Sequence, residues 1–307
     1  MAKNKNLNNA RVAKQDEFYT QLEDIEKEVF RYGVNMEHFK GKTILLPCDE
    51  SEHTNFYKHF MMNRDEYGWK KLISVGYRNN RPAEVHIVHD TEDGIIERNM
   101  LLIGNGDFRN EETQKFFDEC DIVVTNPPFS LFREFVDLLM KKNKKFLIIG
   151  RQDAVNYKEI FPLVRDNKIW TGYTNPKEFF DRTNEMKLKK FGNICWYTNL
   201  IISKRQESLN TGIDFEHGSK MGWYQKYDNY DAINVNKTCQ IPMDYDGVMG
   251  VPVTFLNKHN PNQYEILGIT ATSRELTGGL LTGNKSNTRS SVNGKYTYAR
   301  LLIRKKK

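Results

Sequence analysis

The stretch Asp121-Ile122-Val123-Val124-Thr125-Asn126-Pro127-Pro128-Phe129 decides the fold of this chain. Its first part is continuous, apolar and rich in β-branched residues, which is typical of a strand that is covered on both faces of a parallel sheet. Asn126, Pro127, Pro128 and Phe129 then form a turn at the carboxyl end of that strand, where open α/β sheets place their chemistry. The stretch therefore predicts an α/β sheet with a functional loop at its edge.

The segments on either side extend this sheet. Downstream, Ser130 is predicted to cap a helix whose apolar residues recur at helical spacing, and residues 146–150 form a second short apolar strand. This succession is a βαβ unit, which joins parallel strands. Upstream, residues 41–46 and 72–77 have the composition of two further strands, and residues 84–103 are predicted to form a β-hairpin around a Thr-Glu-Asp-Gly turn.

The turn itself favours one kind of chemistry. The two prolines fix φ and remove two N–H donors, so we expect the carbonyl of Pro127 to point outward beside the amide oxygen of Asn126. Two such acceptors can hold the hydrogens of an exocyclic amino group, while Phe129 stacks on the ring that carries it. The arrangement favours methylation of an aromatic amine. An ordinary turn after a strand could have the same four residues, so the context has to decide.

The context carries a family resemblance. Asn126-Pro127-Pro128-Phe129 resembles the motif of amino-methyltransferases that use S-adenosyl-L-methionine, and the Phe variant implies adenine N6 as the acceptor. With residues 16–21, 196–199 and 241–252, the chain resembles the EcoRI-type adenine-specific DNA methyltransferases over nearly its whole length. The resemblance implies Asn126, Pro127, Pro128 and Phe129 as catalytic residues. It also implies direct methyl transfer without a metal, double-stranded DNA as the partner, and a target base that is flipped out of the duplex.

The resemblance also implies a cofactor site near the first strand. Pro47 and Asp49 follow residues 41–46, at the position of the first cofactor loop, but the usual glycine-rich turn is missing. The next strand, residues 72–77, ends without the acidic residue that normally binds the ribose hydroxyls. We therefore expect Pro47 and Asp49 to contact the cofactor, and the ribose contact stays open.

Two other segments are implied in cofactor binding. Asp107 follows a flexible glycine and can accept a hydrogen bond from the cofactor adenine, with Phe108 against its ring. Phe18, Tyr19 and Thr20 precede a helical stretch that Thr20 can cap, and in the related enzymes such a segment touches the methionine end.

A flipped base needs a second flat surface opposite Phe129. The related enzymes place an aromatic residue on a late hairpin, which makes Trp196 and Tyr197 the candidates. A shift of one residue in strand register exchanges the side chain that faces inward, so both stay candidates.

The predicted fold class is α/β, with a doubly wound, Rossmann-like methyltransferase sheet that is mostly parallel, has an antiparallel late hairpin, and is followed by a smaller β-rich region. Among the 307 residues, 1–204 are predicted to form the cofactor-dependent catalytic domain and 205–307 a DNA target-recognition region. The net charge of +6 permits a polyanionic partner without identifying one.

Location and partners follow from weaker signals. No apolar segment is long enough to span a bilayer and no signal peptide opens the chain, so we expect a cytoplasmic protein of bacterial or phage origin. The four cysteines are scattered and the histidines have no ligand spacing, so no metal site is predicted. We expect a monomer, with a cognate restriction endonuclease acting on the same site but not bound in a stable complex.

Two other classes of function stay open. A methyltransferase that acts on cytosine N4, RNA or a protein glutamine could use the same acceptors, because each substrate presents a planar amine or amide. A non-catalytic DNA-binding protein with a degenerate cofactor site would also fit the missing glycine turn and the missing ribose acid.

Overall fold

The computed structural model describes residues 18–50, 54–181, 184–270, 273–282 and 287–307. Its strands are β1 (Phe18–Thr20), β2 (Thr43–Leu46), β3 (Lys71–Val75), β4 (Glu84–Thr91), β5 (Gly94–Leu101), β6 (Ile122–Thr125), β7 (Lys145–Arg151), β8 (Trp170–Thr171), β9 (Glu178–Asp181), β10 (Asn184–Lys190), β11 (Ile194–Thr198), β12 (Gln225–Lys226), β13 (Ile233–Asn234), β14 (Met249–Pro252), β15 (Tyr264–Ile269), β16 (Ser291–Val292), β17 (Lys295–Tyr296) and β18 (Arg300–Lys305). Its α-helices are α1 (Leu22–Gly33), α2 (Asn55–Met62), α3 (Arg64–Tyr67), α4 (Glu111–Glu119), α5 (Phe132–Lys141), α6 (Phe161–Arg165) and α7 (Phe215–Lys220).

These elements belong to two compact units. The first contains the described residues up to Arg151 together with Gly172–Leu200, and the second contains Gln152–Thr171 and Ile201–Lys307. All of the predicted site residues fall in the first unit. The functional division at 204/205 stays a prediction.

The large sheet of the first unit runs in the order β5-β4-β3-β2-β6-β7-β11. Its central strands β3, β2, β6 and β7 are parallel, so Leu45 lies opposite Ile73 on one side and Val123 on the other. The strands β4, β5 and β11 are antiparallel to their neighbours. The predicted α/β class with a mainly parallel central sheet is therefore confirmed at that level, and so is the predicted hairpin, which is β4 and β5.

Burial on both faces explains why the sequences of the central strands are continuous apolar runs. All four residues of β6 are buried, as are Phe146–Gly150 of β7. Helix α5 buries Phe132, Phe135, Val136 and Leu139, spaced at one face of a helix. Because apolar surface stabilises a fold in proportion to the area removed from water, this pattern fixes the sheet between its helices.

A second, three-stranded sheet has the order β1-β9-β10 and is antiparallel. It pairs Thr20 with Phe179, residues that are far apart in the chain. The prediction that Thr20 caps the following helix is wrong. Thr20 belongs to β1, and Gln21 occupies the N-cap position of α1 without a side-chain cap.

Two further local predictions are corrected by the structure. Ser130 does not cap a helix, because Phe129–Leu131 form a 3-10 turn and α5 begins at Phe132. The segment with Trp196 is not part of a hairpin, since β11 pairs with β7, and the late hairpin is formed by β9 and β10. In both places a competing backbone hydrogen-bond pattern replaces the expected one.

The second unit is β-rich, as predicted. Its main sheet has the order β12-β13-β14-β18-β15, in which Met249 and Val251 of β14 pair with Ile303 and Leu301 of β18. Helix α6 packs against β15. A separate two-stranded ribbon is formed by β16 and β17.

Candidate active site

The loop after β6 lies where the parallel strands end. Since β2, β3 and β6 run in the same direction, the segments that follow Leu46, Val75 and Thr125 emerge at one edge of the sheet. The amide nitrogen of Asn126 donates a hydrogen bond to Oγ1 of Thr20 at 3.4 Å, across 106 positions of sequence. The Asn55 side chain donates to the carbonyl of Thr20 at 2.8 Å and so fixes the other side of this strand end. The structure therefore brings Asn126 and Thr20 together.

The prolines shape the rest of the loop. Pro127 is buried, and Pro128 is half-buried. The Pro128 carbonyl accepts the amide of Leu131 at 3.0 Å, which closes the 3-10 turn. Of the two proline carbonyls, that of Pro128 thus serves the turn.

The ring of Phe129 is half-exposed and meets another aromatic ring. The centroid of Phe191 lies 6.4 Å from that of Phe129, with the planes at 89°. Phe191 also contacts Phe179 of β9, at 5.7 Å and 72°. Sequence reasoning missed Phe191. Its signal was weak, because the residues before it, Lys189 and Lys190, continue a charged strand that looks like a solvent-exposed edge.

Trp196 and Tyr197, the predicted stacking residues, lie in the core. Both are fully buried on β11. The Trp196 ring meets Phe56 edge-on at 5.9 Å, and the Tyr197 ring contacts Phe132 at 5.3 Å. The indole N–H of Trp196 has no acceptor among the residues that the structure describes. A role for either residue in base stacking stays a prediction.

Asp49 is a buried carboxyl group at the end of β2. Its Oδ2 accepts a hydrogen bond from the Thr125 hydroxyl at 2.7 Å, which ties the β2 loop to the last residue of β6. The Ser74 hydroxyl donates to its main-chain carbonyl. Burial raises the pKa of Asp49 to about 7, although hydrogen bonds from Thr125 and Thr54 oppose the increase. This carboxyl group therefore titrates near neutral pH.

An acidic side chain that the sequence did not reveal lies at the end of β3. A Cβ at Gly76 would overlap the side chain of Glu50, so Glu50 lies against the residue that follows this strand. Its Oε1 is 3.6 Å from Nε of Arg78. Although β3 ends without its own acid, the neighbouring loop supplies one at that place.

The Asp107 carboxylate is bound by Arg109. The Arg109 side chain donates to Oδ1 at 2.9 Å and to Oδ2 at 2.6 Å, and the backbone N–H of Arg109 also donates to Oδ1. Burial by itself would raise the pKa of Asp107, but the hydrogen bonds and charge of Arg109 outweigh it and lower the pKa below its usual value. Asp107 is thus ionised at neutral pH.

The segment around Asp107 is held close to β3. Gly106 has a φ of 77°, and a Cβ there would lie 2.6 Å from the carbonyl oxygen of Gly76. Only glycine fits this approach. Phe108 is buried and packs edge-on against Phe135 at 5.0 Å, so its ring belongs to the core in this structure.

The remaining predicted cofactor residues are placed by backbone pairing. Phe18 and Tyr19 pair with Asp181 and Phe180 in the three-stranded sheet, and Pro47 is buried in the turn after β2. No group of three or more His, Cys, Asp or Glu residues that could hold a metal ion occurs in the described part of the chain. Among the helices of that part, none is long and apolar enough to cross a membrane.

Comparisons with known proteins identify a family for this chain. The family model described as adenine-specific methyltransferase EcoRI matches residues 6–306. The chain belongs to this family. It is 38% identical to the type II methyltransferase M.EcoRI of Escherichia coli, an alignment that covers 100% of this chain and 98% of the relative. It is also 38% identical to M.MgeORF184P of Mycoplasma genitalium, over 97% and 98% of the two chains. No solved structure matches the chain significantly.

Membership of this family makes the chain an enzyme, an adenine-specific DNA methyltransferase. Methyltransferases of this kind use S-adenosylmethionine, whose sulfonium is a cation, and the carboxyl edge of the sheet has the matching chemistry. Burial, the charge of Asp49 and, more weakly, that of Asp107 raise the pKa of the Cys48 thiol, which places both carboxyl groups near Cys48. With Glu50 beside Gly76, three carboxyl groups surround this edge. The donor set therefore fits a cationic cofactor with ribose hydroxyls.

Proposed function

We propose that this enzyme methylates N6 of adenine in duplex DNA, on a base that is flipped out of the helix, as part of a restriction–modification system. The observation that carries the proposal is the pairing of Asn126 with Thr20 at the carboxyl edge of the parallel sheet, next to the exposed part of Phe129. Asparagine at this place can accept hydrogen bonds from an amino group, and the aromatic ring can cover the base.

Asn126 and Pro127 are the groups that we propose to hold the amino group. The Asn126 amide nitrogen donates to Thr20, and its amide oxygen is the acceptor that we propose for the amino group. The Pro127 carbonyl is the second acceptor. Two acceptors that bind the hydrogens of the adenine amine draw its lone pair out of the ring and stabilise the positive charge that develops on nitrogen. This stabilisation is larger in a water-excluded site than in solution.

Phe129 and Phe191 are the aromatic residues that we propose to hold the base. Phe129 is the first residue of the 3-10 turn. The hydrogen bond from the Leu131 amide to the Pro128 carbonyl closes this turn and so fixes the backbone of Phe129. Phe191 supports it edge-on and is itself supported by Phe179. A ring that is buttressed in this way can stack on a base without losing much conformational entropy.

The cofactor is proposed to lie along the ends of β2 and β3. When bound, S-adenosylmethionine supplies a methyl group that is activated on a sulfonium. Asp49 provides a buried carboxyl group whose ionised form that cation would stabilise, Glu50 would bind the ribose hydroxyls, and Asp107 would accept from the cofactor adenine while Arg109 keeps it ionised. Phe18, Tyr19, Thr20, Pro47 and Phe108 complete the proposed set by their position in the adjoining segments.

We further propose that the parallel sheet has the doubly wound, Rossmann-like arrangement of cofactor-dependent methyltransferases. In this arrangement 1–204 carry the catalytic domain, and 205–307 form the target-recognition region. The enzyme is proposed to work as a cytoplasmic monomer on double-stranded DNA. A cognate endonuclease would act on the same sequence without a stable complex.

The test is to incubate the enzyme with unmethylated genomic DNA and labelled cofactor, and to map modified bases at single-nucleotide resolution. We expect N6-methyladenine in one short sequence. Asn126→Ala should lower methyl transfer by about 10²- to 10³-fold, since one acceptor is lost, while calorimetry shows unchanged binding of S-adenosylhomocysteine. Label in cytosine, RNA or protein would refute the proposed acceptor, and full turnover by Asn126→Ala would refute the proposed mechanism.

A further inference from the structure

The positive charge of this chain is concentrated in one stretch. Residues 276–307 contain eight lysines and arginines and no aspartate or glutamate, a formal charge of +8. Since the whole chain has a net charge of +6, residues 1–275 carry −2. A polyanion is therefore attracted chiefly to this stretch of the second unit.

Within this stretch, β16 and β17 form a hairpin around a two-residue turn. Asn293 and Gly294 have φ values of 50° and 75°, the left-handed conformation that a type I′ turn needs, and Asn-Gly is its preferred sequence. Both oxygens of the Asp228 carboxylate accept backbone N–H groups of this turn, at 3.0 and 2.9 Å. The tip of the hairpin is thus locked from outside as well as by its own sequence.

The base of the hairpin is anchored in a small core. Val292 is buried with Tyr227, Tyr230 and Leu302. Opposite β17, the Ser290 hydroxyl bonds to the hydroxyls of Thr270 and Thr297, at 3.0 and 2.6 Å. One face of the hairpin is therefore packed, and the other faces solvent.

The outer face carries aromatic rings and cations. Tyr296 at the end of β17 and Tyr298, two residues further on, are 56% and 87% exposed. The Arg289 guanidinium lies 4.6 Å from the centroid of the Tyr296 ring. Asn287 donates to the Tyr296 hydroxyl at 2.8 Å and accepts the Arg289 amide at 3.0 Å, so all three are tied together.

This geometry prepares Arg289 for planar recognition. A guanidinium that is held near an aromatic ring keeps its N–H edge available for two parallel hydrogen bonds. In duplex DNA the acceptor pair that matches such an edge is O6 and N7 of guanine in the major groove, which is wide enough for a two-stranded β-ribbon. Lys295, next to the turn, is exposed and suits a phosphate.

We propose that the hairpin of residues 287–298 is the element that contacts the DNA target, and that Arg289 reads a guanine in the recognition sequence. In this proposal Tyr296 and Asn287 position Arg289. Lys295 binds a phosphate of the DNA backbone, and Tyr298 provides a flat surface that contacts the DNA. The inference rests on the proposed function, because it names the specificity determinant of that reaction.

The test compares Arg289→Lys, Lys295→Gln and the wild-type enzyme in two measurements. The first is binding by fluorescence anisotropy to a duplex with the mapped methylation site and to one with that site scrambled. The second is the methylated sequence on genomic DNA. Arg289→Lys keeps the positive charge but loses the planar guanidinium that can form two parallel hydrogen bonds. We therefore expect about 10- to 100-fold weaker binding to the cognate duplex and little change with the scrambled one. The methylated sequence should also become less specific at one guanine position. Lys295→Gln should weaken binding to the cognate and the scrambled duplex equally, and it should lower the slope of log affinity against log salt by about 1.

Arg304→Lys is the matched control, because Arg304 is an exposed arginine of the same unit that pairs with Glu265 at 2.6 Å. It should leave affinity and methylated sequence unchanged. Unaltered affinity and unaltered sequence in Arg289→Lys would overturn the inference. Absence of methylation by the wild-type enzyme would instead overturn the proposed function, while the affinity of Lys295→Gln for a non-specific duplex would still decide whether the hairpin binds DNA. Equal melting temperatures of all variants establish that folding is not the cause.

Discussion

At the scale of single residues, Asp49 makes stability depend on pH. Its folded pKa of about 7 exceeds the ordinary value of 3.8, because the carboxyl group is buried. The folded protein therefore holds this proton more tightly than the unfolded chain does. The resulting stabilisation is complete below about pH 4 and is lost as the pH rises toward 7.

We expect Asp49→Asn to remove this dependence. The change keeps the shape and an acceptor for Thr125, and it leaves nothing to ionise. At pH 8 the free energy of unfolding should rise by about 2–4 kcal/mol relative to wild type, with no gain at pH 4. Denaturant titrations at pH 4, 6 and 8 measure the free energy of unfolding of each protein. The exposed Asp93→Asn serves as control, and a variant with the wild-type pH dependence would contradict the assignment.

Phe129 gives a second test at this scale. Stacking on a base contributes about 1–3 kcal/mol, so Phe129→Ala should lower turnover by about 10- to 100-fold, whereas Phe129→Trp keeps a flat surface and loses less. Phe30→Ala, at an exposed ring of the same unit, is the control and should turn over like wild type. Steady-state rates with a saturating duplex measure the difference. Equal rates for the Ala and Trp variants at position 129 would argue against a base sandwich.

At the scale of elements, Glu28 joins helix α1 to the segment that precedes β9. It is fully buried and accepts the N–H groups of Tyr173 and Thr174 at 2.7 and 2.6 Å, and the hydroxyls of Thr174 and Tyr32 at 2.7 and 3.0 Å. Burial raises the pKa of Glu28, and these hydrogen bonds lower it again in part. The carboxylate thus replaces the water that these donors would otherwise need.

We expect Glu28→Gln to destabilise the enzyme by about 2–3 kcal/mol, since an amide nitrogen then faces donors and charge-assisted hydrogen bonds are lost. Glu26→Gln is the matched control, because Glu26 is exposed on the same helix and should change stability by less than about 0.5 kcal/mol. Urea denaturation measures both. Identical urea midpoints for the two variants would show that Glu28 does not stabilise the contact between α1 and the segment before β9.

The elements that could be predicted were those with a strong local signal. The β-branched run of β6 and the polar turn between β4 and β5 indicate their structure directly, because burial and turn chemistry are encoded in adjacent residues. Position 20 could not be assigned in this way. A Thr before a helical pattern is a good cap, but pairing with Phe179, which is remote in sequence, outweighs that preference.

The site was predictable to the same extent. Asn126 and Phe129 lie in a local motif, so their place at the sheet edge follows from the strand before them. Glu50 and Phe191 reach the site through tertiary contacts, with Gly76 and Phe129 respectively, and no local pattern marks them. Trp196 had a period-two pattern with its neighbours, which gives no indication that both faces of β11 are buried.

At the scale of the whole molecule, charge and chemistry are separated along the chain. The carboxyl groups near Cys48 belong to the first unit, and residues 276–307 with their charge of +8 belong to the second. The charge that would attract a polyanion therefore lies in the second unit, whereas the carboxyl groups that we propose for the cationic cofactor lie in the first.

The last prediction tests this separation through salt dependence. Lys306 and Lys307 are exposed, so Lys306→Gln/Lys307→Gln should weaken binding to a non-specific duplex and reduce the slope of log affinity against log salt by up to about 2. Lys141→Gln/Lys142→Gln removes equal charge from the first unit, where Asp137 and Asp118 already pair with these lysines at 2.6 and 2.5 Å. That control should leave the slope unchanged. Equal slopes for both double variants would show that total charge, rather than its position in the second unit, governs association with DNA.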